Sequence, residues 1–189
     1  MRNIFFIIIF NLIIINSTSA KENWIIEKIF DDKYISISTF GTVTYGDKYR
    51  LLINTKNDCK IIEETFSFYT TADHPKILEI KNKNTLVEYN GKNKAGIIKS
   101  SSKFLAGHSV FISVGLVDIN KYLKNLSNSE TLNIKILGVI DDIEKKTGWE
   151  AQEMFDVGFN SWNLKGLPNA IKSAQNMCLN KPKNGIDLK

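Results

Sequence analysis

The chain has 189 residues, of which 43% are hydrophobic, 24% charged and 11% aromatic, proportions that fit one globular domain and exclude collagen-like, disordered and multi-span membrane classes. Lys plus Arg number 25 against 20 Asp plus Glu, a net charge of +5, and Arg2 and Arg50 are the only arginines. Arginine makes the bidentate contacts to phosphates and base edges, so a mild excess carried by lysine argues against nucleic-acid recognition.

Met1-Arg2-Asn3 is a positive start, residues 4–15 are apolar except for Asn11, and residues 16–20 are small and polar. This is the three-part layout of a secretory signal peptide over residues 1–20, with cleavage expected between Ala20 and Lys21. The apolar run of 12 residues is shorter than the 20 or so that span a bilayer. No later stretch is longer, so no integral membrane span is expected once the signal is removed. Residues 21–189 are read as a single exported, β-rich domain. A chain of that size buries roughly 70% of its unfolded surface and can hold a core without a metal.

Residues 24–30 are expected to open the fold. Residues 34–38 alternate apolar and polar, the mark of a half-buried strand, and residues 42–45 are read as its continuation. Gly46-Asp47-Lys48 is a turn, and residues 49–53 return as the partner strand. Residues 59–69 form a further strand. Residues 85–89 and 95–98 flank Asn90-Gly91, a pair that tolerates the positive φ of tight hairpin turns. The predicted loop there is longer than two residues. Residues 109–114 are a strand, and residues 118–126 a short helix with Ile119, Tyr122, Leu123 and Leu126 on one face. Residues 131–140 alternate again, and residues 155–159 lead into Trp162-Asn163-Leu164. Pro168 suits the first turn of a last helix, whose Leu167, Ala170, Ile171, Ala174 and Cys178 share a face. A polar tail of about residues 180–189 is expected to be loose. The fold class is mainly β: an antiparallel β-sandwich or barrel-like domain with a C-terminal α-helix.

The exported chain has two cysteines, Cys59 and Cys178, and an oxidising compartment lets only one intramolecular pair form. Closing a loop near 100 residues is worth up to about 4.7 kcal/mol in the chain-entropy model. The bond is expected to tie the last helix to an early strand region. The pair lacks the Cys-x-x-Cys spacing of a redox site.

The remaining chemistry is sparse. His74 and His108 are too few for a three-ligand zinc site, and no His-Glu-x-x-His is present. His74 precedes Pro75 in a loop. His108 and Ser109 are adjacent on a strand, so they face opposite ways and cannot act together. Ser109 also lacks a nucleophile elbow. The carboxylate pairs Asp31-Asp32, Glu63-Glu64 and Asp141-Asp142 do not by adjacency make a catalytic pair across a cleft. Asp141, Asp142 and Glu144 lack a calcium-loop pattern. Trp24, Trp149 and Trp162 are scattered and read as packing residues. No phosphate loop or dinucleotide fingerprint occurs, and no catalytic, cofactor or metal residues are assigned.

The block from Phe155 to Cys178 runs from a strand through Trp162-Asn163-Leu164-Lys165-Gly166-Leu167 into a small-residue helix with Ala170-Ile171. It resembles the carboxy-terminal block of the invasion-associated locus B proteins, and the opening Trp24 before a strand is compatible. Two cysteines are fewer than that family often has. The resemblance implies an exported, β-rich envelope protein without known catalysis. The expected function is a non-catalytic periplasmic or envelope-associated binding or structural protein. Its partner would be another protein or an envelope component, with no nucleic acid and no cofactor. The alternatives are an inhibitor or immunity-like protein of a secreted enzyme, or an exported hydrolase.

Overall fold

The computed structural model describes residues 24–44, 46–126, 129–142 and 147–180. The expected cleavage point at Ala20 and Lys21 and most of the expected loose tail lie outside these residues. The elements are β1 (Ile25–Ile29), β2 (Tyr34–Phe40), β3 (Lys48–Asn54), β4 (Ile61–Thr70), β5 (Asn84–Tyr89), β6 (Lys92–Phe104), β7 (Gly107–Asp118), α1 (Ile119–Leu126), β8 (Thr131–Asp142), β9 (Thr147–Glu150), α2 (Ala151–Met154), β10 (Phe159–Asn163) and α3 (Leu167–Leu179).

The strands form one antiparallel sheet in the order β1-β2-β3-β4-β7-β6-β5-β8-β10, with β9 on β8. The first four make a meander. Residues 71–83 then carry the chain away from β4, and the hairpins β5–β6–β7 fill the gap in reverse. The sheet curls far enough that β10 meets the loop after β2: the Thr42 N–H donates to the Ser161 carbonyl at 2.8 Å.

Period-two alternation decides which face is the core. Ile35 and Ile37 of β2 sit beside Ile53 and Leu51 of β3, and Ile62, Phe66 and Phe68 of β4 continue that face. Val110, Ile112, Ile98, Val87, Ile134 and Ile136 complete it from the other half of the sheet. Burying each such side chain is worth about 1.5–3 kcal/mol against leaving it in water. Trp162 of β10 is fully buried at the centre, with its ring 6.0 Å from Tyr49, 5.9 Å from Phe66 and 6.0 Å from Phe68. Leu167, Ala170, Ile171 and Ala174 of α3 join the same core over β2 and β3. This is the predicted face of the predicted helix.

The helix is held at both ends. Its start follows Lys165, whose carbonyl accepts the Trp24 indole N–H at 2.9 Å. Its end carries Cys178, bonded to Cys59 (S–S 2.07 Å, Cα–Cα 6.0 Å). Mainly antiparallel β structure, the C-terminal helix and the Cys59–Cys178 link to the β3–β4 connection are therefore all present.

Two local expectations change, and one unassigned segment proves to be strand. Of residues 42–45, the described residues 42–44 do not continue the strand, which ends at Phe40. The Asn160 side chain takes over backbone groups of Val43 and Thr44 there. The Val43 N–H donates to Asn160 Oδ1 at 3.0 Å, and Asn160 Nδ2 donates to the Thr44 carbonyl at 3.1 Å. Asn90-Gly91 is a two-residue turn, with Tyr89 opposite Lys92 and φ values of +47° and +77°. The ladder runs on through Asn93 and Lys94, whose polarity had concealed it. The serine run at 100–102 is strand, within β6. It carries no hydrophobic alternation and is fixed by its pairing with β7 alone, past the end of β5.

Candidate functional site

Glu63 and Glu64 are neighbours on β4, so alternation sends them to opposite faces of the sheet. Each builds a different constellation. Ile62, Glu64, Phe66 and Phe68 share the inner phase, which puts a carboxylate in the core at 3% exposure. An isolated charge there would be costly. Three donors surround it. Tyr49 and Tyr89 each donate a phenol hydrogen to Glu64 Oε1 at 2.7 Å, and the Lys94 ammonium meets Oε2 at 2.9 Å. Tyr122 of α1 bonds the Tyr49 hydroxyl. The Tyr49 hydrogen is already given to Glu64, so Tyr122 is the donor. The Lys94 ammonium also lies 4.7 Å above the Tyr89 ring. Burial foremost, and then the charge of Glu64, hold the Tyr49, Tyr89 and Tyr122 phenols far above their ordinary ionisation. All three stay neutral donors at physiological pH. A cavity of about 220 Å³ opens beside the cluster, lined also by Asn90, Asn125, Leu126 and Leu164.

Glu63 points outward. It accepts the Ser113 hydroxyl hydrogen at 2.7 Å and lies 3.7 Å from the Lys99 ammonium. These groups lie in a trough of about 490 Å³ crossing β3, β4, β7 and β6. Two bulges shape it. The β4–β7 register slips at Glu64/Thr65, and the β6–β7 register slips between Ile98 and Ser100. Bulges bend a strand and sharpen its twist, which dishes the sheet here. Gly115 turns the first bulge at φ +118°, a conformation that favours glycine. Ile97 (43% exposed) and Leu116 (70% exposed) supply apolar wall, and Asn54, Asn57 and Asn84 supply amides. On the same face Arg50 donates to Ser67 Oγ at 2.9 Å and stands over the Phe111 ring. Ser36 and Ser38 lie there too, buried, each with an unpartnered hydroxyl.

The other residues singled out from sequence stay apart. His74 Nδ1 accepts the Lys76 N–H at 3.1 Å, and the His74 ring meets Trp149 edge-on. His108 and Ser109 lie on β7 with alternating faces. Asp32, in the β1–β2 turn, pairs with Lys28 at 3.2 Å, and Asp141, near the end of β8, pairs with Lys83 at 2.6 Å. Glu144 lies outside the described residues. Trp162 lies inside the core, Trp24 packs at its border and Trp149 sits on β9, so the three make no common platform. The Glu64 cluster was not foreseen. Its signal was a glutamate in the inward phase of an apolar strand, together with tyrosines in the inward phase of three other elements. Among the described residues no group of three or more His, Cys, Asp or Glu is placed to hold a metal ion. Among them no helix is long and apolar enough to cross a membrane. Comparison with protein-family models, with curated proteins and with solved structures finds no match.

Proposed function

We propose that this chain is a non-catalytic, exported, envelope-associated binding protein whose ligand, another protein or an envelope component, lies in the outer trough. The trough is the observation that carries the reading. It combines exposed apolar walls, amides and a hydrogen-bonded carboxylate in one dish shaped by two bulges. Binding surfaces mix an apolar body with a few placed polar groups in this way. The engagement of Glu64 by three donors supports a structural role for the buried acid: it has no free base function to offer. The Cys59–Cys178 bond supports passage into an oxidising compartment. Cleavage after Ala20 and kinship with the invasion-associated locus B proteins belong to the same proposal.

The test is native mass spectrometry of the full chain expressed with its signal in a bacterial periplasm. The expected species begins at Lys21, is oxidised, and carries a bound molecule that Leu116→Asp releases. A full-length or reduced chain overturns the export reading, and a bound molecule indifferent to Leu116→Asp overturns the trough as its seat. A secreted enzyme held at fixed stoichiometry would move the assignment to an inhibitor.

A further inference from the structure

We propose that the tip of the β6–β7 hairpin docks this protein on an anionic lipid surface. Phe104 is opposite Gly107, so Leu105-Ala106 forms a two-residue turn. The hairpin outruns its neighbours. β5 stops pairing with β6 at Ile97, and β4 stops pairing with β7 at His108. Only the tip lies beyond both.

Turns of this kind favour asparagine or glycine, which accept positive φ readily. Here Leu105 holds φ +51° and is 79% exposed, the most exposed large apolar side chain among the described residues. Phe104 beside it is 55% exposed, its ring braced edge-on against Tyr69. A strained backbone position given to an exposed leucine is a departure from local preference, and such departures gather at functional sites.

Charge selects the occupant. Between Tyr89 and Asp118 the chain has no carboxylate; its charged side chains are Lys92, Lys94, Lys99 and Lys103, with His108 near the tip. Lys94 and Lys99 face Glu64 and Glu63, but Lys103, next to Phe104, has no carboxylate partner among the described residues. Asp47 and Asp156 lie by the tip-side end of β4, and both are held by hydrogen bonds. Asp156 accepts from the Thr71 N–H and hydroxyl, and Asp47 accepts from the Tyr69 N–H and Asn160. An apolar wedge flanked by unpaired lysine suits an interface that is apolar below and negative above. The β1–β2 turn is a built-in contrast. Phe30 is also exposed at positive φ and also rests edge-on against a tyrosine, but it is followed by Asp31, which an anionic surface repels.

The test is co-sedimentation of the oxidised, signal-free protein with phosphatidylcholine vesicles, with and without phosphatidylglycerol. Binding is expected only to the anionic vesicles, and it should weaken as salt rises. Leu105→Asn should weaken it about tenfold or more while raising the melting temperature, because it removes both the anchor and the left-handed strain. A loss of binding in a more stable protein is not a folding failure. Lys103→Gln should weaken binding by roughly fivefold, and Phe30→Asn should leave it unchanged. Leu116→Asp in the trough should leave it unchanged as well, which separates this inference from the proposed ligand site. No binding to anionic vesicles, equal binding to neutral ones, or full binding by Leu105→Asn would each overturn it. A protein complex that forms without lipid and is lost in Leu105→Asn would overturn it in favour of a protein partner.

Discussion

Glu64 shows how one buried charge organises its surroundings. Its two oxygens accept from Tyr49, Tyr89 and Lys94, and Tyr122 extends the chain of hydroxyls to α1. Glu64→Gln turns one acceptor into a donor facing the Lys94 ammonium. It should lower stability by about 1–3 kcal/mol in denaturant melts, whereas an unchanged midpoint would mean that water already carries these contacts. The phenols provide an optical readout. Their folded pKa values lie above the unfolded value near 10, so their contribution is complete below that pH and is lost as pH rises toward the folded values. In an alkaline absorbance titration, three of the six tyrosines should therefore ionise only as the protein unfolds. Little of this site was legible in the chain. Strand phase placed Glu64 on the inner face, but residues 49, 64, 89, 94 and 122 meet only through the order of the strands.

The last helix is the element whose contacts are easiest to separate by experiment. Its inward face was readable from spacing, and so was the only possible partner of Cys178. The bond closes a separation of 119 residues, and for loops of this order the chain-entropy model gives roughly 4–5 kcal/mol. Cys59→Ser and Cys178→Ser should each lower stability, and the double variant should be little worse than either single one, since both delete one bond. Additive losses in thermal melts would show that each side chain matters through its own packing. The β6–β7 hairpin gives a second element-scale case. Gly107 is required by close approach: a Cβ there would stand 2.3 Å from the Thr70 carbonyl oxygen. Gly107→Ala should cost about 1–3 kcal/mol, and an unchanged melting temperature would show that β4 and β7 can separate freely at that end.

At the scale of the molecule, the polar knot around Asp47 and Asn160 joins the first strands to the last. Asp47 is fully buried and accepts from the Tyr69 N–H at 2.7 Å and Asn160 Nδ2 at 2.8 Å. Burial raises its pKa above the ordinary carboxylate value, more than these two hydrogen bonds lower it. A raised folded pKa means that the native state holds the proton more tightly than the unfolded chain. The associated stability is complete below the unfolded value near 4 and is lost as pH rises through the folded value. Relative to Asp47→Asn, the parent protein should therefore gain stability as pH is lowered from 7 toward 4. The opposite slope in denaturant melts across that range would mean that the hydrogen bonds dominate and the carboxylate is held ionised. The knot also explains why residues 43 and 44 leave the sheet. Asn160, more than a hundred residues away, satisfies their backbone in place of a strand partner.

The sequence by itself determined the class of fold, the alternation of two strands, the final helix and the one available disulfide. These follow from short-range periodicity and from counting cysteines, and neither needs to know which strand lies beside which. Only the tertiary structure decided the reversed placement of β5, β6 and β7, the bulges that dish the outer face, and the meeting of Glu64 with its tyrosines. The reason is physical: these features depend on pairings across tens of residues, where backbone hydrogen bonds are the same for every candidate partner. The choice among partners rests on how all the side chains fill one core together.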